Sequence, residues 1–365
     1  MCCFKVTNLQ FRKLNNNRQI RHFGGGLRQF LPYFYQMKKV AILVPESSVI
    51  QAIADPQYCF SAVNRFLASS GQTPLFALTL IGQTTEVKLA GGYYSVFADK
   101  TIADEGQYDL VIIPALFGDI QAALGLNRHF IPWLNRQYAG GAELASLCVG
   151  AFLLASTGLL DGKKCSTHWG FIHEFKSMFP TVNVQDGAIV TEESGLYSSG
   201  GANSYWNLLL HLTEKFGGRQ IAVLVSKYFA VDINRNSQAA YTLFKAQMEH
   251  ADDAVKEAQS FIEDNIEARF TVDDVAERVS VGRRSLERRF KQATHNSVFE
   301  YIQRVKMEAA KRQFETGAKT IHEVMNEVGY GDTKAFRTTF KKLTGLTPLD
   351  YKKKYSKMGN SILAG

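Results

Sequence analysis

Two stretches near the end of the chain repeat one pattern and decide its architecture. Residues 271–292 read TVDDVAERVSVGRRSLERRFKQ, and residues 320–342 read TIHEVMNEVGYGDTKAFRTTFKK. Their first halves align at an offset of 49 residues and their second halves at an offset of 50. The extra residue falls between the halves, in a turn, where an insertion costs little chain entropy. The last hundred residues therefore contain a duplicated unit.

Each copy predicts two short helices joined by a tight turn, the helix-turn-helix pattern. Thr271 stands three residues before Asp274, and Thr320 stands three before Glu323, which is the spacing of a helix N-terminal cap. Apolar residues four apart are predicted to face a core in both helices: Val275, Val279, Leu286 and Phe290, then Val324, Val328, Phe336 and Phe340. Glycines are predicted to let the chain reverse in each turn: Gly282, then Gly329 and Gly331. The helix between the copies is predicted over 298–314.

The outer face of each second helix is basic. The first copy places five cations within ten residues, beside the single acid Glu287: Arg283, Arg284, Arg288, Arg289 and Lys291. The second copy is milder, with Lys334, Arg337, Lys341 and Lys342 among Thr333, Thr338 and Thr339. Arginine can bind the acceptors of guanine in the major groove, and clustered cations neutralise phosphates. A solvated basic face is the simpler interpretation, but duplication with matched caps favours double-stranded DNA.

Residues 252–355 resemble the DNA-binding domain of the AraC/XylS family. The motifs that carry the resemblance are Leu286-x-Arg288-Arg289-Phe290-Lys291 and Gly329-Tyr330-x-Asp332, then Phe336, Phe340-Lys341-Lys342, Gly345, Pro348 and Tyr351. The resemblance implies that Arg284, Glu287 and Arg288 meet base edges in one groove. It implies the same for Lys334, Arg337 and Thr338 in the next groove. The family often has Arg at the positions of Thr338 and Lys352, so the second helix is expected to read sequence more weakly.

The middle of the chain predicts an α/β domain with a largely parallel sheet. Apolar runs at 40–44, 74–81, 110–113 and 142–147 alternate with helical patterns at 56–69, 150–157 and 203–216. Residues 39–215 resemble the PfpI-like, class I glutamine-amidotransferase-like fold, a flavodoxin-like sandwich. The matching motifs are Asp109–Pro114, Ala145–Ala155, Gly158–Gly162, Thr167-His168-Trp169 and Ser199–Gly201. With the AraC-type end, the chain resembles GlxA-type regulators, which implies a homodimer formed through the sheet domain.

Cys148 is the chemically notable residue of the sheet domain. It lies where a strand meets a helix, with Gly150 close behind, and this pattern predicts an exposed nucleophile elbow whose helix stabilises a thiolate. PfpI-type hydrolases have His directly after this Cys, where the chain has Val149. Relatives also carry a carboxylate after the first strand, and neither Glu46 nor Asp55 can be assigned to that role. Cys148 is left as a ligand-pocket or redox-responsive thiol, a structural thiol, or a nucleophile with His168.

The predicted ligand pocket of the sheet domain comprises Cys148, Val149, His168 and Gly201. His168 is equally well explained as a structural histidine beside Trp169. The histidines and cysteines show no metal spacing, and no glycine run forms a phosphate-binding fingerprint. We therefore expect no metal and no cofactor.

Charge and composition divide the chain. Residues 1–36 hold six basic residues and no acid, residues 37–251 have a net charge of −2, and residues 252–365 have a net charge of +4. We expect a disordered leader over 1–36, an α/β domain over 37–218, a helical connector over 219–250, a DNA-binding domain over 251–355 and a flexible tail over 356–365. The leader is also interpretable as preceding the true start at Met37, or as a basic arm that touches DNA. Five scattered cysteines and the lack of an apolar span indicate a cytoplasmic protein.

The sequence thus predicts a regulator that binds promoter DNA and senses a small molecule or dimerises through its sheet domain. One alternative is a cysteine-dependent amidase or glyoxalase-like enzyme with an appended DNA-binding domain. Another is an interaction protein whose basic helices dock on acidic partners. The residue after Cys148 argues against the enzyme, and the duplication argues against the docking protein.

Overall fold

The computed structural model describes residues 36–233 and 250–356. The leader up to residue 35, residues 234–249 of the predicted connector and the tail after Ser356 lie outside the described residues, so the expectations for them stay predictions. The first described range begins with an α/β region. Its strands are β1 (Lys38–Val44), β2 (Phe76–Gly82), β3 (Glu86–Leu89), β4 (Tyr94–Phe97), β5 (Lys100–Thr101), β6 (Leu110–Ile113), β7 (Glu143–Ser146), β8 (Lys164–Cys165), β9 (Asn183–Val184), β10 (Val190–Glu193) and β11 (Leu196–Ser199).

The described strands build a seven-stranded sheet in the order β10-β11-β7-β6-β1-β2-β5. Every pairing in it is parallel except that of β10 with β11, where Val190 lies opposite Ser199. The predicted, largely parallel sheet is therefore confirmed. The short pairs β3–β4 and β8–β9 were not predicted, because their side chains do not form long apolar runs.

Helices cover both faces of this sheet. All four residues of β6 are buried, and successive side chains of a strand point to opposite faces, so both faces must be covered. The helices of this region are α1 (Ile50–Ser69), α2 (Ile120–Asn127), α3 (Phe130–Ala139), α4 (Ala151–Ala155), α5 (Ile172–Met178), α6 (Tyr205–Gly217) and α7 (Arg219–Tyr228). They share one apolar core with the sheet, and helices α1, α6 and α7 pack against one another.

The first helix differs from its prediction at its start. We expected it to begin near Pro56, but α1 begins at Ile50 and contains Pro56 in its interior. An interior proline loses one backbone hydrogen bond and costs about 3 kcal/mol. Ala52 and Ile53 lie in the turn before it and are fully or almost fully buried. The apolar surface that this extra turn removes from water offsets the cost of the proline.

The second described range is helical and contains two cores. Its helices are α8 (Asp253–Asp264), α9 (Val272–Arg278), α10 (Arg283–Thr294), α11 (Val298–Thr316), α12 (Ile321–Glu327), α13 (Thr333–Thr344) and α14 (Pro348–Tyr355). Helices α9 and α10 pack around Val275, Leu286 and Phe290, and helices α12 and α13 pack around their counterparts in the second copy. The predicted duplication of a helix-turn-helix unit is thus confirmed.

Both predicted caps are complete capping boxes. The Thr271 hydroxyl accepts the Asp274 N–H, and the Asp274 carboxylate accepts the Thr271 N–H at 2.7 Å. Thr320 and Glu323 exchange the same two bonds at the start of α12. Each box satisfies two backbone donors that the first turn of a helix leaves without a partner.

The prediction for the turn between the helices of the first copy is wrong in one respect. We expected Gly282 to reverse the chain, but its φ is −59°, which any residue can adopt. The left-handed residue is Ser280, with φ 51°, at the position equivalent to Gly329, with φ 72°. A single serine can adopt this conformation at a modest cost. Because glycine adopts it far more readily, the sequence pointed to Gly282 and not to Ser280.

Candidate nucleic-acid interface and cysteine elbow

Helix α10 presents most of its predicted DNA-binding residues to solvent. Arg283, Arg284, Arg288 and Lys291 are exposed, while Leu286 and Phe290 are fully buried on the opposite side. Arg283 donates to the Asp273 carboxylate at 2.7 Å, but both side chains remain more than half exposed. A pair this exposed contributes little stability and can be exchanged for a phosphate.

Arg289 does not belong to the basic face, although it is part of the first signature. Its guanidinium donates two hydrogen bonds to the Asp252 carboxylate, at 2.6 and 2.8 Å. The Asp252 carboxylate also caps α8 by accepting the Val255 N–H at 3.1 Å, and the hydrogen bonds from Arg289 lower the pKa of Asp252. Arg289 therefore joins α10 to α8 and is committed inside the unit.

Glu287, the acid of α10, is partly exposed and faces the start of α11. Its carboxylate accepts the Val298 N–H at 3.4 Å. Near the N-terminus of a helix a negative charge is favourable, so this contact favours a carboxylate beside the start of α11. Its predicted contact with a base stays a prediction.

Helix α13 carries the second basic face. Thr333, Lys334, Arg337, Thr338 and Lys341 are all exposed. Thr339, which the sequence grouped with its neighbour Thr338, is buried in the second core instead. Asp332 caps the helix by accepting the Ala335 N–H at 2.6 Å.

Cys148 occupies the predicted elbow between β7 and α4. Its φ of 53° is left-handed, a strained conformation for a residue with a side chain. Its N–H donates to the Ser199 Oγ at 3.0 Å, and its carbonyl accepts the Thr167 Oγ1 at 3.2 Å. At Gly150 a Cβ atom would lie 2.4 Å from the Pro114 carbonyl oxygen, so only glycine lets the elbow pack against the end of β6.

The Cys148 thiol is not the stabilised thiolate that the sequence predicted. The residue is 4% exposed, and burial raises the pKa of its thiol to about 12. Helix α4 has only five residues, so its dipole is too small to compensate for the lost hydration. At neutral pH the thiol is protonated and only weakly nucleophilic.

The carboxylate of the elbow region is engaged by two aromatic residues. Asp55 Oδ2 accepts the Tyr205 hydroxyl at 2.6 Å and the Trp206 Nε1–H at 3.1 Å. Burial raises the pKa of the Tyr205 phenol most, its hydrogen bond to Asp55 raises it further, and Cys148 lies near enough to add a smaller electrostatic effect. Glu46 is exposed and contacts Asn127 through its backbone. Sequence reasoning missed Tyr205 and Trp206, whose link to Asp55 spans 150 residues and leaves no local pattern.

His168 caps a short 3₁₀ turn and stacks near Trp169. Its Nδ1 accepts the Gly170 N–H at 3.0 Å, and burial lowers the pKa of the ring. Burial therefore favours the neutral imidazole, and because Nδ1 accepts a hydrogen bond, the ring proton lies on Nε2. Val149 is buried behind Cys148, and Gly201 begins the 3₁₀ turn Ala202–Ser204 ahead of α6. The four predicted pocket residues thus lie on segments that meet at the ends of β7 and β11.

The sheet region contacts the first helix-turn-helix unit. The Arg304 guanidinium on α11 donates to the Asp186 carboxylate at 2.6 Å. His173 on α5 packs against His295, which ends α10, with ring centroids 5.2 Å apart. Helix α5 follows directly on the 3₁₀ turn that His168 caps. The elbow is therefore linked to the end of α10 through the Thr167–Cys148 hydrogen bond, the short stretch 167–173 and the contact of His173 with His295.

Among the described residues, no group of three or more His, Cys, Asp or Glu side chains is arranged to hold a metal ion. Within the same residues, no helix combines the length and the apolar character that crossing a membrane requires. Cys59, Cys148 and Cys165 are free and buried thiols.

Comparison with known proteins divides the chain in the same way. The DJ-1/PfpI family model matches residues 63–215, and a helix-turn-helix domain model matches residues 275–354. The transcriptional regulator GbdR of Pseudomonas aeruginosa is 27% identical over 234 residues, which are 64% of this chain and 64% of GbdR. The regulator GlxA of Rhizobium meliloti is 23% identical over 218 residues, 59% of this chain and 66% of its own length.

A solved structure is also similar. The AraC family transcriptional regulator from Pseudomonas putida is 20% identical, with a TM-score of 0.44. The match covers 53% of this chain and 99% of that one. The match to GbdR spans less than two thirds of the length of that relative.

The protonated state of Cys148 predicts slow alkylation. With a pKa of about 12, roughly one thiol in ten thousand is ionised at pH 8. We expect the rate of iodoacetamide labelling at Cys148, followed by peptide mass spectrometry, to rise about tenfold per pH unit from pH 7 to 9. Cys59 and Cys165, which are equally buried, are the internal references. A plateau at or below pH 8, at Cys148 alone, would reveal an activated thiolate and favour the enzyme.

Proposed function

We infer that this chain, which joins a DJ-1/PfpI family domain to an AraC-type helix-turn-helix domain, is a GlxA-type transcription regulator that binds DNA sequence-specifically. The observation that carries this proposal is the pair of capped helix-turn-helix units, each with the basic face of its second helix open to solvent. Two equivalent basic helices, each in a unit packed on α11, suit binding to two neighbouring segments of the major groove. The names of the relatives support the same activity.

The two basic faces divide their contacts between bases and phosphates. We assign Arg284, Glu287 and Arg288 to base edges in one major groove. We assign Lys334, Arg337 and Thr338 to base edges in the next. The remaining exposed residues position the backbone: Arg283, Lys291, Thr333 and Lys341. Arginine side chains bind guanine acceptors, and the phosphate contacts fix the register without reading sequence.

The sheet domain regulates this binding. Our proposed boundaries are 37–218 for the sheet domain, 219–250 for the connector, whose helix α7 packs onto the core of the sheet domain, and 251–355 for the DNA-binding domain. A small molecule bound at Cys148, Val149, His168 and Gly201 would shift the population between DNA-competent and incompetent arrangements. We propose that the sheet domain also forms the homodimer. A role at promoter DNA implies a cytoplasmic location.

The contacts between α5 and the first unit supply a route for that shift. The elbow carbonyl of Cys148 is bonded to Thr167, and the chain runs from there through His168 into α5. Helix α5 and Asp186 then contact the end of α10 and Arg304. A ligand that moves the turn at His168 would change these contacts and so the freedom of the first basic helix.

Catalysis by the elbow is the weaker candidate. A nucleophilic cysteine needs a nearby base and a lowered pKa, whereas burial raises the pKa of Cys148, and Val149 replaces the histidine of PfpI-type hydrolases. Asp55 is engaged by Tyr205 and Trp206. We therefore propose a protein that is not an enzyme and in which Cys148 is a remnant of a catalytic site.

Selection from a random duplex library tests the proposed function directly. The full chain should enrich a sequence with two conserved segments whose centres lie about 10 base pairs apart, because adjacent turns of the major groove have that spacing. Footprinting of the enriched duplex should protect both segments. Failure to enrich any sequence over random competitor at moderate salt would contradict the proposal and favour a docking protein.

Arg288→Ala is expected to relax base preference at one position of the selected sequence. A lost bidentate contact to a base costs about 1–3 kcal/mol, measured as the difference in binding between the selected duplex and one changed at that position. Arg289→Ala is the matched control, since Arg289 bonds to Asp252 within the unit. It should lower thermal stability and leave base preference unchanged. Equal losses on all duplexes for Arg288→Ala would make Arg288 a phosphate contact.

Asp186→Asn is expected to strengthen binding to the selected duplex in the absence of any ligand. The change weakens the ion pair between the sheet domain and Arg304, and partly exposed ion pairs contribute up to about 1 kcal/mol, or roughly a fivefold change in Kd. Asp161→Asn is the control, because Asp161 accepts a hydrogen bond from Thr181 within the sheet domain. An unchanged or weakened affinity in Asp186→Asn would remove the proposed route between the domains.

A further inference from the structure

Lys306 lies at the point of α11 where the two cores of the helical range meet. Val305, just before it, belongs to the core of the first unit, and Met307, just after it, belongs to the core of the second. Lys306 is only 6% exposed, an unusual position for an ammonium group. Such a group is expensive to bury unless its donors are satisfied.

The Lys306 ammonium is satisfied by three backbone carbonyls from both units. It donates to Ile266 and Ala268, in the loop between α8 and α9 of the first unit, at 2.8 and 2.7 Å. It also donates to Val328, at the end of α12 in the second unit, at 3.1 Å. Carbonyls at the end of a helix carry partial negative charge, so this site suits a cation. One side chain thus bonds to both units at once.

The backbones of the two units touch beside this ammonium. At Gly329 a Cβ atom would lie 2.5 Å from the Lys306 Nζ and 2.8 Å from the Glu267 carbonyl oxygen. At Gly331 a Cβ atom would lie 2.2 Å from the Arg269 guanidinium. The glycines of the second turn therefore do more than reverse the chain, since they let it approach the loop of the first unit.

Lys306 keeps its charge at neutral pH. Burial and the nearby Arg269 lower its pKa to about 8. At pH 7 the group is still mostly an ammonium and retains three N–H donors for its three acceptors. The bonds to both units are therefore intact under ordinary conditions.

We propose that Lys306, with Gly329 beside it, is a positioning residue that fixes the angle between the two helix-turn-helix units. The angle determines which spacing of two DNA segments a single chain can bind. This inference rests on the proposed DNA-binding function, since only there does the angle between the units matter. Lys306 itself need not touch DNA, because its ammonium is buried between the units.

The test compares spacing preference in Lys306→Met and the wild-type full chain. The probes are the duplex selected by the wild-type protein and the same duplex with one base pair inserted between its segments, a rotation of about 35°. We expect the preference of the wild type for the original spacing to fall at least about fivefold in Lys306→Met, the lower end of typical coupling between sites. Binding to a duplex with one segment randomised should change less than about twofold.

Lys311→Met is the matched control. Lys311 is a buried lysine of the same helix, and its ammonium bonds to Glu308 one turn away at 2.8 Å. Its loss should lower stability without changing spacing preference. Gly329→Ala, which keeps the ammonium but forces the units apart, should reproduce the loss of preference and carries the test if Lys306→Met does not fold. A folded Lys306→Met with the spacing preference of the wild type would overturn the proposal.

A measurement without DNA separates this inference from the proposed function. Spin labels at Gln292→Cys on α10 and Lys342→Cys on α13, in a chain with Cys2 and Cys3 replaced by serine, report the distance between the basic helices. We expect a narrow distance distribution in the wild type and in Lys311→Met, and a broad one in Lys306→Met. A narrow distribution in Lys306→Met would overturn the positioning role even if the chain selects a DNA sequence. If no duplex is selected but the distribution broadens, only the DNA-binding function fails.

Discussion

Helix α11 is the constraint on which the helical half of the molecule depends, because two cores share it. Tyr301 and Val305 complete the first core, and Met307 and Phe314 complete the second. Neither helix-turn-helix unit can bury its apolar face without this helix. Since an α-helix is stiff over five turns, the geometry of the two basic faces follows from how each unit packs on one rod. The two units that repeat in the sequence are therefore held in a fixed relation to each other by α11.

The sequence predicted this half of the molecule well because its signals are local. Caps three residues apart and apolar residues four apart are decided within one or two turns of helix, and both copies formed as expected. The sequence could not show that Arg288 and Arg289 have different roles. Adjacent residues point about 100° apart on a helix, and the partner of Arg289 lies 37 residues earlier in the chain. Two adjacent arginines thus have different roles, one exposed to solvent and one bonded within the unit, and only the fold distinguishes them.

In the sheet half, the sequence predicted the positions of the strands well but the state and contacts of the candidate site less well. Buried parallel strands are continuous apolar runs, so β1 and β6 are plain in the sequence, and the elbow at Cys148 follows from its glycine. The state of the thiol was not predictable, because burial by residues distant in sequence decides it. Asp55, Tyr205 and Trp206 show the same limit, since a carboxylate and two aromatic side chains 150 residues apart share no pattern. The protonation state of a thiol depends on tertiary structure, whereas the positions of buried strands follow from the sequence pattern.

Net charge describes this protein poorly, because its charges serve different purposes. The excess of only four basic residues after position 251 hides the fact that some acids are paired within the units, as Asp252 is with Arg289 and Glu308 is with Lys311. These pairs and the carbonyl-bonded Lys306 hold the units together, and they leave the cations of α10 and α13 facing solvent. An exposed cation loses little hydration when a phosphate replaces water, whereas a buried one cannot leave its acceptors without a large cost. The division between bound and exposed cations, more than their number, is what leaves the basic faces of α10 and α13 free to bind an anionic partner.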